Sequence, residues 1–325
     1  MTISSRSLHE PMLTRDEAEI RSVVASIARE EGAEALFRAV SRFALLAYNP
    51  SQHAKHALLA VTAAWEVRED LGGDFAAVLA ECAVYAANAR LPWSEAPLLD
   101  PPRHEGQSVS LDEAREAIRA RDALRLQSWL AARIRSGELR EAFFELAADD
   151  LRDFGHPFVI ATAAWKLSLL QDAHPSYPVL RVAAVEWCAA REDEPPQENE
   201  PLPDETLARV LAARVVARQG AVDAFHDLVL FDAACEAAAL GAPAPVVHRV
   251  KAAIPRESAG GSPPDTRREM SAPVYPLARD YAELLLAHAI ASRLRDRGWV
   301  ADPGPLVAAA EYNLRSSSFD EWSFA

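Results

Sequence analysis

The stretch FGHPFVIATAAWKL, residues 154–167, nearly repeats the earlier stretch AKHALLAVTAAWEV, residues 54–67. In both, a histidine is followed by an apolar run and then by Thr-Ala-Ala-Trp. The two histidines are His56 and His156, and Pro157 directly after the second predicts that a helix begins there. The repetition indicates a duplicated packing unit, and it also delivers a histidine to the same point of each copy.

Two weaker relatives of this phrase follow, in residues 223–240 and 284–298. Each of the four segments is followed by a second alanine-rich segment. Alanine and leucine dominate the apolar residues, and β-branched residues seldom alternate with polar ones, which favours helices over strands. The sequence therefore predicts an all-α, bundle-like domain built from four helix pairs.

The predicted domain organisation is simple. Residues 1–13 are expected to form a flexible tail, and residues 14–325 a single helical domain. Two proline-rich polar stretches near 191–205 and 255–273 are expected to be exposed loops, because neither has enough apolar surface to order itself alone. Helical segments continue on both sides of each stretch, which favours one domain over two domains joined by a linker.

Two helix starts carry capping signals. Asn49 followed by Pro50 resembles an N-cap with proline at the first helical position. Ser110 followed by Glu113 has the spacing of a capping box. We therefore predict helices that begin at these two points.

The net charge of -14 excludes some partners. Such a surface repels phosphate backbones, so nucleic acid is not an expected partner. No apolar stretch is long enough to span a bilayer, and the N-terminus has no apolar signal core, so no membrane association and a cytoplasmic location are predicted. The three cysteines are far apart and form no CxxC pair, which indicates neither a disulfide framework nor a cysteine zinc site.

Each of the four units carries one histidine early in its first helix, and these histidines are the candidate metal ligands. Neutral imidazole binds iron, zinc, copper and nickel, and several imidazoles on facing helices can form a site in a bundle core. The structural alternative is that each histidine is a polar group packed between helices and hydrogen-bonded to a backbone carbonyl. The four candidate ligands are His56, His156, His226 and His288.

Neighbouring polar residues extend the candidate site. His53 lies three residues before His56, so their side chains can meet on one helix. Asp153 and Asp223 each precede a unit histidine by three, where a carboxylate can orient an imidazole through its second nitrogen. At Asp153 a solvated aspartate before a helix start is the alternative.

In order and spacing, the four units resemble the questin oxidase-like proteins of secondary metabolism. The resemblance covers most of the chain, including the segment HAIASRLRDRGWVADPGPLVAAAEYNL, residues 288–314. It implies an all-helical oxygenase that oxidises aromatic polyketides, with a non-haem iron bound by the four unit histidines. The family's last segment reads H-x-x-K and its lysine is an added ligand, but this chain has Ala291 there. Water, Asp227 or another carboxylate is a candidate for that place, with a changed chemistry as the alternative, and His53 competes with His56 in the first segment.

The leading functional interpretation is a metal-dependent oxygenase-like enzyme, an oxidoreductase with non-haem iron. Its expected partners are dioxygen and a small aromatic or polyketide-type substrate. Trp65, Trp165 and Ala291 are candidate pocket-lining residues, and core packing is the alternative for the two tryptophans. The rival interpretation is a non-catalytic helical binding or scaffold protein that kept the fold and lost the metal, as the missing lysine suggests.

Overall fold

The computed structural model describes residues 6–50, 52–89, 110–151, 153–172, 174–189, 200, 202–218, 221–255 and 281–316. Every regular element in these residues is a helix, and no strand occurs among them. The predicted all-α fold class is confirmed. The division into four equivalent helix pairs stays a prediction.

We number the α-helices in chain order. Their bounds are α1 Arg6–Thr14, α2 Glu17–Glu30, α3 Ala33–Leu46, α4 His56–Glu66, α5 Arg68–Leu71, α6 Phe75–Ala89, α7 Leu111–Arg119, α8 Ala123–Ser136, α9 Arg140–Asp149, α10 His156–Asp172, α11 Tyr177–Ala189, α12 Asp204–Ala217, α13 Val222–Ala239, α14 Ala244–Ala252, α15 Tyr281–Asp296 and α16 Gly304–Ser316. Three short 3-10 helices span Gln52–Lys55, Gly72–Asp74 and Asp153–Gly155.

The predicted N-terminal tail is wrong from Arg6 onward, because these residues form α1. Leu8 and Met12 are one helical turn apart, and their exposed fractions are 1% and 0%. Both side chains therefore lie on one face of α1, the face that packs against its neighbours. Burial of two large apolar side chains stabilises this helix by about 3–6 kcal/mol at most, which explains why a proline inside it is tolerated.

The described chain divides into two compact units, whereas the sequence predicted one domain. The first unit contains α1 to α6, most of α12, the first residues of α13, and α15 with α16. The second contains α7 to α11, the start of α12, α13 from His226 onward, and α14. The chain changes unit inside α12, between Leu207 and Ala208, and inside α13, between Phe225 and His226. The first change comes just after the proline-rich stretch 191–205, whereas no linker-like sequence marks the second, so sequence reasoning could not place it.

The first unit has an aromatic cluster on α3, α4 and α6. Trp65 stacks on Phe37 with ring centroids 4.3 Å apart, and Phe75 lies 6.1 Å away on another side. The Arg68 guanidinium lies 4.5 Å from the centre of the Trp65 ring. Helix α15 packs along α4, and α16 packs on α15. A stacked pair such as Phe37 and Trp65 contributes about 0.5–1.5 kcal/mol to stability beyond the effect of burying the two rings.

The second unit has its own aromatic cluster on α9, α10 and α11. The Phe143 ring lies 5.1 Å from both Trp165 and Trp187, and Phe144 lies 5.4 Å from Trp165. Helices α10 and α11 pack against each other along much of their length. The Trp187 indole N–H also donates to the carbonyl of Pro157 at 3.2 Å, which fixes the first turn of α10 against α11.

Of the two predicted capping signals, one is confirmed and one is wrong. The Ser110 hydroxyl accepts a hydrogen bond from the Glu113 N–H at 3.2 Å, so α7 begins as predicted. Asn49 caps no helix, because α4 begins only at His56 and a 3-10 helix precedes it. Its amide donates instead to the carbonyl of Ala89 at 2.9 Å, which ties the chain to the end of α6.

Most of the two predicted loops lies outside the described residues. Within the first, α12 already begins at Asp204, so the helix includes the end of the stretch that was expected to be a loop. None of the helices that the structure describes combines the length and apolar character needed to cross a membrane.

Candidate metal centre

The structure brings together three of the four predicted histidine ligands. His56, His156 and His226 each offer one ring nitrogen, and these nitrogens all lie within 4.8 Å of one another. The three residues are buried, with exposed fractions of 4%, 6% and 8%. Nothing in their spacing along the chain required this, because 100 and 70 residues separate them.

The two copies of the repeated phrase fold alike around their histidines. His56 is the first residue of α4 and His156 is the first residue of α10, and each helix follows directly after a short 3-10 helix. Pro157 at the second position of α10 agrees with the predicted helix start, because proline needs no hydrogen-bond donor there. Both imidazoles therefore project from the first turn of a helix that is mostly buried.

The threonines of the two copies also match. The Thr62 hydroxyl donates to the carbonyl of Leu58 at 2.9 Å, and the Thr162 hydroxyl donates to that of Phe158 at 3.0 Å. Both hydroxyls are buried, so the bond four residues back satisfies a polar group that would otherwise cost about 1–3 kcal/mol. The repeated threonine is thus a polar residue adapted to a buried helix.

The turn before His156 is an unusual backbone segment. Phe154 has φ 57° and ψ 24°, and Gly155 has φ 75°, so two successive residues are left-handed. The Gly155 N–H donates to the carbonyl of Leu151 at 3.1 Å and closes the turn. A Cβ atom at Gly155 would lie 2.6 Å from a methyl carbon of Leu230. Only glycine fits here, both for its φ and for the close approach to α13.

This turn is fixed on the helix that carries His226. Leu230, under Gly155, lies one helical turn after His226 on α13, so both residues are on the same side of that helix. The His156 and His226 rings consequently meet with centroids 5.0 Å apart and planes at 69°. The close packing of Gly155 against Leu230 holds the turn before His156 against the helix that carries His226.

Phe154 lies against the same two rings. Its centroid is 4.8 Å from that of His226 and 6.4 Å from that of His156. The side chain is 51% exposed, although the two imidazoles beside it are buried. Sequence reasoning missed this residue. The available signal was an apolar residue in front of a glycine and a histidine, which by itself is too common to indicate a role.

The fourth predicted ligand, His288, is not part of the cluster of three. It is on α15 in the first unit, where its Nε2 lies 3.8 Å from a carboxylate oxygen of Asp70. Burial lowers the pKa of His288, and the Asp70 carboxylate opposes this shift without reversing it. The role of His288 as a fourth ligand of the same centre therefore stays a prediction, and its neighbour in the structure is Asp70.

The predicted accessory residues have varied positions. Asp223 is 51% exposed and pairs with Arg218 at 2.5 Å. Partial burial alone would raise the pKa of Asp223, but the hydrogen bond and charge of Arg218 together with backbone hydrogen bonds outweigh it, and the net shift of the pKa is downward. Asp223 is thus committed to an arginine instead of an imidazole. Asp227 is half-buried beside His226. The side chains of His53 and Asp153 lie outside the described residues.

Of the predicted pocket-lining residues, Trp165 and Ala291 are buried and Trp65 is half-buried. Trp65 and Trp165 belong to the two aromatic clusters described above, which agrees with the alternative of core packing. Ala291 on α15 is 1% exposed, so a longer side chain at this position would have to displace its neighbours. A role for these residues at a substrate pocket stays a prediction.

The three-histidine cluster fits a transition-metal ion. Ligand nitrogens lie about 2.0–2.1 Å from such an ion, so two of them can be at most about 4.2 Å apart. The upper limit of 4.8 Å here exceeds that separation by only a fraction of an ångström. The donors are imidazole nitrogens in a buried place, which suits iron, zinc, copper or nickel and does not suit calcium or magnesium. Three histidines could therefore bind a metal, and their number leaves coordination positions open.

Comparisons of the chain with protein-family models, with curated proteins and with solved structures found no match. The resemblance to the questin oxidase-like proteins therefore rests on the motifs of the sequence alone.

Proposed function

We propose that the protein binds one transition-metal ion through His56, His156 and His226 and acts as an oxygenase-like enzyme. The observation that carries the proposal is the convergence of three buried imidazoles from distant parts of the chain. A single buried helical histidine is usually a packed polar group. Three buried histidines whose ring nitrogens lie within 4.8 Å of one another have the arrangement of a typical three-ligand metal site.

The nature of the ion and of the reaction comes from the resemblance to the questin oxidase-like proteins. We propose non-haem iron and a small aromatic or polyketide-type substrate on this basis. When bound, such an ion supplies a redox-active centre with open positions for dioxygen. The chain itself holds the imidazoles in fixed positions, since the turn at Gly155 fixes His156 against His226.

The rival proposal is a helical binding or scaffold protein without a metal. Two observations favour it. His288 lies beside Asp70 and outside the cluster, and Ala291 offers no donor atom and no room for one. If the family's complete ligand set is required for iron, this chain lacks the lysine, and its cluster of three does not include His288. The first proposal predicts that the purified protein contains a metal ion, and the rival proposal predicts that it contains none.

The first experiment measures bound metal in protein purified without an affinity tag. We expect about one transition-metal ion per chain by elemental analysis. His226→Gln should lose it, because removal of a direct ligand should weaken binding at least as much as removal of an outer partner, which typically costs about 10–100-fold. His248→Gln is the matched control, since His248 is an exposed histidine of the same unit.

His288→Gln distinguishes three ligands from four. The cluster contains no His288, so this variant should keep its metal. Loss of metal in His288→Gln with retained helicity would contradict the three-histidine site. Absence of metal from the wild type, after iron has also been offered during expression and by titration, would favour the non-catalytic protein. Oxygen consumption with aromatic substrates then tests the oxygenase part of the proposal separately.

A further inference from the structure

Phe154 is the residue whose placement is least explained by packing alone. It is a large apolar side chain with 51% exposure, and its backbone is in the left-handed region. Bulky residues with positive φ are genuine outliers, and they persist only where the surrounding structure holds them. In the part of the chain that the structure describes, the other two residues of this kind are Arg15 and Arg121.

The two arginines have an ordinary reason for their conformation. Arg15 follows the end of α1, and Arg121 lies just after the end of α7, where a left-handed residue commonly ends a helix. Phe154 lies in front of a helix, directly before Gly155 and His156. Its conformation ends no α-helix, and its ring contacts the two imidazoles. The strained backbone at Phe154 thus places an aromatic ring beside His156 and His226.

We infer that Phe154 controls access to the His156–His226 pair. The two imidazoles are only 6% and 8% exposed, and the half-exposed Phe154 ring lies 4.8 Å from one of them. An apolar ring in this place keeps water and charged molecules away from the ring nitrogens, while small uncharged molecules pass more easily. An apolar shell around a metal site controls solvent access and polarity in the same way. Phe154 therefore determines which molecules reach His156 and His226, and how fast a bound metal ion leaves them.

The first test needs no metal. Diethyl pyrocarbonate acylates accessible neutral imidazole, and peptide mass spectrometry reports the rate at each histidine. In metal-free protein, Phe154→Ala should raise the rates at His156 and His226 by about tenfold, the lower end of the effect of removing an outer partner of a site. The exposed His248 is an internal control whose rate should not change.

Matched variants separate the ring from the backbone. Phe154→Gly also removes the ring but accepts a positive φ, so it should give the same rates as Phe154→Ala. Phe154→Leu keeps apolar bulk and should give an intermediate rate. Leu124→Ala removes another exposed apolar side chain of the same unit, 68% exposed, and should leave the rates unchanged. Circular dichroism must show that all variants retain the helical content of the wild type.

The second test rests on the proposed metal site. The wild type and the Phe154→Ala variant are loaded with Co²⁺, and the release of the ion to a charged chelator is followed by its visible absorption. We expect release to be about 10-fold faster in the variant. Unchanged acylation and unchanged release in Phe154→Ala overturn the role of Phe154 and leave the metal proposal intact. If Co²⁺ never binds but acylation accelerates as expected, the metal proposal fails and the role of Phe154 stands.

Discussion

Gly155→Ala tests whether the turn before His156 determines the geometry of the candidate site. The substitution adds a methyl group at φ 75°, a conformation that residues other than glycine rarely adopt. The added Cβ would also meet both methyl carbons of Leu230, at 2.6 Å and 2.9 Å. Leu230 is 5% exposed and has little freedom to move away. The variant therefore suffers backbone strain and overpacking together.

The two contributions can be estimated separately. A left-handed conformation costs an L-residue about 1–2 kcal/mol. Overpacking of a filled core costs about 1–3 kcal/mol. We therefore expect Gly155→Ala to lower the free energy of unfolding by about 2–5 kcal/mol. Gly137→Ala is the matched control, because Gly137 has φ 77° at the end of α8 but a Cβ there meets nothing within 4 Å. It should lose only the backbone part, about 1–2 kcal/mol.

The assay is urea unfolding followed by circular dichroism and tryptophan fluorescence, with metal content measured on the same samples. Gly155→Ala should also bind metal more weakly, while Gly137→Ala should bind it normally. Leu230→Ala alone costs about 2–5 kcal/mol, and the double variant Gly155→Ala with Leu230→Ala should lose less stability than the sum of the two single losses, because the overpacking is relieved. If Gly155→Ala and Gly137→Ala are equally destabilised, the contact with Leu230 does not fix this turn and the reasoning is refuted.

Two further predictions concern buried groups. Burial raises the pKa of the Cys188 thiol to about 12 and that of Cys82 above its ordinary range, so a thiol reagent should modify both no faster than the native protein unfolds. Stoichiometric modification within minutes in native buffer would contradict this. Burial also lowers the pKa of His288 in the folded protein from 6.5, against the pull of Asp70. The unfolded chain therefore binds the proton more readily, and the stability contributed by neutral His288 is present above about pH 6.5 and is lost as the pH falls below it. The unfolding free energy of metal-free wild type should consequently fall relative to His288→Gln between pH 7 and pH 5, whereas parallel pH profiles would show that this shift is absent.

The sequence by itself determined the helical class and several local features. Alanine-rich apolar runs with few β-branched residues have no competing strand pattern, so the all-α prediction did not depend on any distant contact. Pro157 fixed the start of α10, and Ser110 fixed the start of α7, because proline geometry and capping act over only a few residues. The equivalence of Thr62 and Thr162 follows in the same way, since each hydroxyl bonds within its own helix.

Only the tertiary structure decided which of the repeated residues meet. The sequence gives His288 the same standing as His226, yet packing places one beside Asp70 and the other beside His156. The tertiary structure likewise decided that the Asn49 side chain donates to the carbonyl of Ala89 instead of capping a helix. A cap, a helix start or a periodic apolar face depends on residues within about one or two turns. The distance between two side chains on different helices depends on how those helices pack. In this protein, His156 and His226 are on different helices, and Gly155 packs against Leu230 where these two helices meet.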